Sequence, residues 1–323
     1  MTSRVRVFAP ATVANLGPGF DVLGLALERP GDVLEAELTG QPGVEIVEVT
    51  GDGGVLSRDP ARNVAGRAAA EVLERARRIG RSPGAPLPPG PGVRLWLHKG
   101  MPLVSGLGSS GASSAAAVTA INELLGRPLP MREVLLSAME GERAAAGAAH
   151  ADNVAPSLMG GIVLIRSYDP LEVVPLPVPG RLWVVAVHPH CSVATAGART
   201  MVSERTYALD QIVANLGNLG TLVGALYRDD LALLGRSIDD RLVEPVRAGL
   251  IPGFRAVKHA ALASGALGCS IAGSGPSLFA LCDDGAVAER VGGAMREAFG
   301  REAALEADVF LGKVGTAGAR VVG

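Results

Sequence analysis

Residues 102–118 read PLVSGLGSSGASSAAAV, with Gly106, Gly108, Gly111 and five serines running into alanines. A row of backbone N–H groups entering a helix N-terminus offers donors and about half a positive charge, which suits a polyphosphate without any lysine. Gly106 and Gly108 clear side chains where main chain must approach a ligand. Ser109, Ser110, Ser113 and Ser114 place hydroxyls at the helix start, one for a phosphate and another for a hard cation such as Mg2+. The plainer reading of the same residues is a loop with a serine N-cap. No lysine follows the glycines, so the pattern is not the P-loop of nucleoside triphosphatases. Gly106, Gly108 and Gly111 do spell G-x-G-x-x-G, but the acid that a dinucleotide site needs about 20 residues on is absent, and PLPMREVL opens another helix there.

The elements around this loop follow from apolar spacing. Residues 4–8, 33–38, 44–49 and 93–98 alternate or run apolar between glycines and prolines, as strands do, and 9–27 is turn-rich. Val64, Ala68, Val72 and Ala76 recur at helical spacing in a segment that ends on Gly80. Val118, Ile121 and Leu125 continue the serine-rich turn as a helix, and a further helix starts at Met131. The proline-rich stretch after Tyr168 sets a domain boundary near residue 170. Beyond it come strands at LWVVAV, CSIAG and SLFALC, with helices near 201–216, 218–237, 253–265 and 285–299. Strands and helices interleave without regular alternation, so the fold class is α+β.

Composition narrows the function. The 323 residues are 48% apolar with a net charge of −2, which gives a large core and no basic footprint for nucleic acid or an anionic membrane. Cys191, Cys269 and Cys282 are too far apart for a zinc motif or a disulfide framework. His188 and His190 end an apolar strand with no third ligand nearby, which argues against a metal there. No apolar run reaches the roughly 18 residues of a membrane span, and MTSRVRVFAP lacks a signal-peptide core, so a cytoplasmic protein with a small-molecule partner is expected.

Three segments together carry a resemblance. PLVSGLGSSGASS resembles the second motif of the GHMP kinases, VFAPATVANLGPGFDVLGLAL their first motif in its homoserine kinase form, and SIAGSGPSLFAL (270–281) their third. HADNVAPSLMGG and EPVRAGLIPGF are similar to the same branch. The chain departs from the usual motifs at Gly111 and Ser274, where alanine is common. The resemblance implies a two-domain GHMP kinase fold, with a domain like ribosomal protein S5 domain 2 over residues 1–170, a ferredoxin-like domain over 171–323, and the active site between them. It implies ATP-dependent phosphorylation of the side-chain hydroxyl of L-homoserine, a step toward threonine, by a homodimer. A kinase for another small alcohol such as mevalonate or shikimate is the alternative within the fold. A nicotinamide-dependent oxidoreductase and a nucleotide sensor without turnover are alternatives outside it.

The same resemblance assigns residues. ATP falls to Asn63 at the adenine and to Pro102, Leu103, Val104, Ser105, Gly106, Leu107, Gly108, Ser109, Ser110, Gly111, Ala112 and Ser113 around the phosphates, with Ser110 and Glu142 as Mg2+ ligands. Asn15, Asp21, His150, Arg199 and Arg247 surround the amino acid, the arginines on its carboxylate. Asp152, Asn153 and Thr195 sit at the reacting hydroxyl, Asp152 first as a binding group and as a base only secondarily. From spacing alone, Asn15 is a turn residue, Asp152 and Asn153 cap a helix, and Glu142 is a solvated acid. The third motif, Gly273–Ser274–Gly275, either supports the phosphate loop or is a tight turn.

Overall fold

The computed structural model describes residues 4–79, 90–147, 149–192 and 195–323. The chain forms β1 (Arg4–Ala14), β2 (Leu23–Thr39), β3 (Gly43–Thr50), α1 (Val64–Arg78), β4 (Gly92–His98), α2 (Ser109–Leu124), α3 (Met131–Ala146) and α4 (Ala151–Met159). These are followed by β5 (Ile162–Tyr168), β6 (Leu171–Leu176), β7 (Trp183–Pro189), α5 (Thr195–Ser203), α6 (Leu209–Arg228), α7 (Leu231–Ser237) and α8 (Glu244–Arg247). A 3-10 turn, Ala248–Leu250, leads to α9 (Phe254–Ala263), β8 (Gly268–Ile271), β9 (Leu278–Cys282), α10 (Gly285–Ala303), β10 (Ala307–Lys313) and β11 (Arg320–Val321).

The first sheet runs β11-β1-β2-β4-β3, with β5 paired to β2 and β6 to β5; only β3 and β4 are parallel. Alternation places Val93, Leu95 and Leu97 of β4 inside and Arg94 outside. One face of the sheet carries α2, which touches β1 and β2 and is flanked by α1, α3 and α4. Packed on all sides, α2 buries Ala112, Ala115, Ala116, Ala117, Val118 and Ala120, and its small side chains bring the sheet and the neighbouring helices close. The second sheet, β10-β7-β9-β8, is antiparallel and backed by α9 and α10, with Val185, Leu278, Ala288 and Phe299 in its own core.

Several expected elements shift. The turn-rich stretch 9–27 is largely strand, because Ala11 and Val13 are buried and β1 continues against β2 past a register shift between Pro10 and Thr12, where a proline is tolerated. The first helix covers its whole apolar pattern and starts at Val64: Asn63 caps it by accepting from Ala65 N at 3.0 Å, and Gly80 lies outside the described residues. The break expected near residue 217 moves to Asp229, which turns left-handed, and Asp230 then caps α7 through Leu233 N at 2.9 Å. The division at residue 170 falls in the turn of the β5–β6 hairpin, both strands of which belong to the first sheet. The chain end returns to that sheet as β11.

Candidate active site

The phosphate-type loop joins β4 to α2, and two glycines set its path. Gly106 has φ +81° and packs so tightly that a Cβ there would lie 2.5 Å from Ala272 O and 2.8 Å from Gly275 O. The glycine-rich turn 273–275 is therefore the seat of the loop, and Ser277 N completes it by donating to Ser105 O at 3.2 Å. Gly108, φ +67°, precedes the helix with its Cα against the Thr12 and Asn153 side chains; a Cβ would clash with both. Thr12 Oγ1 donates to Asn153 Oδ1 at 2.8 Å, and Thr12 N donates to Leu107 O. Thus α4 reaches under the loop through Asn153, whose oxygen is engaged there.

Beneath the first turn of α2 lies a buried ion pair absent from the expected site. Lys99, the residue after β4, pairs with Asp32 of β2 and also donates to Ser109 O at 2.8 Å and Ser113 Oγ at 2.8 Å. Ser113 Oγ in turn donates to Asp32 Oδ2 at 2.7 Å, and Gly100 N to Asp32 Oδ1 at 3.0 Å. Ser113 was expected at ATP, but its hydroxyl is spent on this network. Leu107 and Ala112 are likewise fully buried, so they shape the loop from inside. Pro102 and Leu103 are partly exposed and Val104 is 57% exposed, at the loop's outer edge. Asn63 is also committed: besides its cap, its amide donates to Ser57 O at 2.8 Å, so reaching an adenine requires giving up one of the two bonds.

Ser110 faces the other way. Its hydroxyl hydrogen-bonds the carboxylate of Glu142 on α3, and burial pushes that carboxyl up while the hydroxyl and Lys99 pull it down. Glu142 Oε1 is buried with no partner, as is Ser109 Oγ. Orphaned oxygen donors of this kind suit a hard cation. The solvated-acid reading of Glu142 fails, because the residue is 3% exposed.

A second cluster gathers on the loop 15–21, where Asn15 and Asp21 take positive φ. Asn15 Nδ2 donates to Gly273 O at 2.8 Å, and Asn15 Oδ1 accepts from Asp21 N at 3.0 Å, tying this loop to the third motif. Asp21 holds Arg199 of α5 with two hydrogen bonds, 2.5 and 3.3 Å. Arg247 Nη1 donates to the same Gly273 O at 3.0 Å, while its Nε is buried without a partner. Both guanidiniums stand over the Phe20 ring, at 5.6 Å for Arg199 and 5.2 Å for Arg247. Tyr168 closes one side by donating to Asp21 O at 2.7 Å.

Asp152 and His150 complete this cluster from the start of α4. Asp152 is 2% exposed and its Oδ1 has no partner. Burial, reinforced by Asp21 and Glu142, pushes its carboxyl up to about 7. Burial, with the two arginines, pushes the His150 imidazole down against the pull of Asp21. Thr195 begins α5, but its side chain lies outside the described residues. Elsewhere, His188 pairs with Ser277 Oγ at 3.1 Å, and Cys269 and Cys282 are core thiols pushed up to about 12 by burial. Cys191 is only half-buried.

Among the described side chains, Asn63, Leu107, Ala112 and Ser113 are committed to the scaffold, while Ser110 with Glu142, and Asn15, Asp21, Arg199 and Arg247, form the two clusters above. Thr12, Phe20, Asp32, Lys99 and Tyr168 were missed. A signal for Lys99 existed, since it is one of three lysines among 30 basic side chains and stands three residues before Pro102.

Comparison with known proteins matches the chain and its fold. Residues 63–161 match the GHMP kinases N terminal domain and 222–301 the GHMP kinases C terminal domain. A homoserine kinase of Chlorobium phaeobacteroides (strain BS1) is 46% identical over 98% of both chains. The homoserine kinase of Arabidopsis thaliana is 42% identical over 98% of this chain and 84% of its own. The crystal structure of homoserine kinase from Cytophaga hutchinsonii superposes with a TM-score of 0.92 at 47% identity, covering 100% of this chain and 98% of that one. A mevalonate kinase of L. major, at 18% identity and TM-score 0.72, shares the fold.

Proposed function

Because the chain belongs to the homoserine kinases, within the two-domain GHMP kinase fold, we propose that the two clusters are the halves of one phosphoryl-transfer site. It moves the γ-phosphoryl group of ATP to the side-chain hydroxyl of L-homoserine. ATP lies with its phosphates along Val104–Ser110, on the amides of the loop and the N-terminal end of α2. Ser110 and Glu142 would hold Mg2+, which when bound would supply positive charge against the polyphosphate.

The observation that carries the substrate assignment is a pair of buried, partnerless atoms of opposite character, Arg247 Nε and Asp152 Oδ1, beside the Asp21–Arg199 ion pair. A zwitterion with a hydroxyl at its far end matches that set. Its carboxylate goes to Arg247 and Arg199, its ammonium to Asp21, and Asn15 and His150 fix the position of these groups. Each charge-assisted bond contributes about 1.5–3 kcal/mol, enough to separate an amino alcohol from a neutral one by orders of magnitude. Asp152 receives the hydroxyl, with Asn153 next to it on α4 and Thr195, at the start of α5, as the third group assigned there. Held at about 7, Asp152 accepts a hydrogen bond when ionised and donates one when protonated. Placement of the acceptor oxygen in line with the phosphoryl group then supplies most of the rate enhancement. The product lies on the route to threonine, and the reading includes a cytoplasmic location; among the described residues no helix is long and apolar enough to cross a membrane.

The test is an ADP-release assay with Mg-ATP and, separately, homoserine, mevalonate, shikimate and galactose. Release with homoserine alone supports the reading. Release with mevalonate or shikimate and none with homoserine overturns the substrate assignment.

A further inference from the structure

Helix α8 is a single turn, Glu244–Arg247, and four residues are too few to hold a helix by their own hydrogen bonds. Bonds from outside the turn hold it instead. Asp240 accepts from the backbone amides of Leu242, Val243 and Glu244 at 2.8, 2.9 and 2.8 Å, and Pro245 fixes φ within the turn. Glu244 spends its two carboxylate oxygens on two further elements. Its Oε1 accepts from Lys258 Nζ of α9 at 2.5 Å, and its Oε2 accepts from Ser270 Oγ of β8 at 2.6 Å. One buried side chain thus ties three elements together, and the phosphoryl-transfer reading gives it no role.

The bond to Ser270 is one of a matched pair. Glu244 and Ser270 are 26 residues apart, and so are Arg247 and Gly273, whose carbonyl accepts from Arg247 Nη1 at 3.0 Å. Glu244 and Arg247 stand at i and i+3 on the helical turn, so both side chains leave the same face of α8. That face is clamped at two points along the segment that runs from β8 into the third motif. The second point holds Arg247, 4% exposed with its Nε unpartnered, on the same carbonyl that receives Asn15 Nδ2. Without the first point α8 is free to swing about the second, and a guanidinium fork binds a carboxylate well only in a fixed orientation.

We propose that Glu244 is a positioning residue for amino-acid recognition: through Ser270 and Lys258 it fixes α8, and so aims Arg247 at the substrate carboxylate. This rests on the reading of the pocket as a homoserine site. The test is steady-state ADP release by the full chain with Mg-ATP and homoserine. Glu244→Ala is expected to raise KM for homoserine about 10- to 100-fold, with kcat and KM for ATP within about threefold of wild type. Ser270→Ala removes one hydroxyl, keeps the Lys258 ion pair and covers the case in which Glu244→Ala does not fold; it is expected to raise KM for homoserine about three- to tenfold. In an Arg247→Ala background, Glu244→Ala is expected to lower kcat/KM for homoserine by less than about twofold further, because the group it aims is gone. A KM for homoserine unmoved by Ser270→Ala, matched rises in KM for both substrates, or single losses that multiply in the double variant overturn the proposal and leave the substrate reading standing. A wild type that releases no ADP with homoserine overturns the substrate reading and the proposal with it.

Discussion

The ammonium of Lys99 and the carboxylate of Asp32 meet in the interior beneath the first turn of α2, with side chains 1% and 0% exposed. The pair also grips Ser109 O, so it sets the height of the phosphate loop from below. Removing one partner leaves an uncompensated buried charge, and Lys99→Met or Asp32→Asn alone is expected to cost about 3–5 kcal/mol in urea unfolding. The double change to Met and Leu is expected to recover most of that stability while KM for ATP stays raised, because Ser109 O has lost its tether. Recovery of both together would show that the pair serves stability alone.

Asp152 ties stability to pH. Its carboxyl is held at about 7 against an ordinary 3.8. A group raised on folding contributes stability that is fully present below 3.8 and lost as pH rises through 7. The loss is on the order of 4 kcal/mol for this buried group. Urea midpoints at pH 5, 6, 7 and 8 are expected to fall for the wild type. Asp152→Asn is expected to flatten most of the slope, leaving a remainder from Glu142, which is raised in the same direction. Equal slopes for the two proteins would place the titrating group elsewhere.

Arg247 supplies a test of the zwitterion pocket. Arg247→Lys keeps a charge but loses the fork that reaches Gly273 O and the open Nε. KM for homoserine is expected to rise about 10- to 100-fold with KM for ATP within about twofold. A matched rise in both would mean that the change acts through the third motif and not through the amino acid.

The two loop glycines separate conformation from composition. Gly106→Ala places a Cβ against two carbonyls at positive φ and is expected to cost about 1–3 kcal/mol and to raise KM for ATP. Gly111→Ala sits inside α2 with Asn153 Cβ 3.4 Å away, an ordinary contact, and is expected to be neutral or stabilising by up to about 1 kcal/mol. Melting temperatures and ATP titrations of the two variants check both expectations.

The loop was legible because glycine, serine and helix-start chemistry are local. So were the strands of strong alternation such as β4, and the α+β class. The assignments of Asp21, Arg199 and Arg247 came from motif resemblance, since 48 residues separate the arginines and only the tertiary fold brings them over Phe20. Spacing misled at residue 217, where glycines that punctuate a sequence lie inside a continuous helix. It also failed for Ser113, since the side of α2 facing Asp32 depends on how that helix sits against β2, a long-range relation that no local pattern encodes.

The central claim is that the enzyme esterifies the hydroxyl of an amino acid, and phosphorus-31 NMR of a mixture of Mg-ATP, homoserine and the protein tests it most directly. The expected result is a new phosphomonoester resonance growing in step with ADP and coupled to the terminal CH2 protons of homoserine. ADP accompanied only by inorganic phosphate, or an ester formed on mevalonate and never on homoserine, would contradict it.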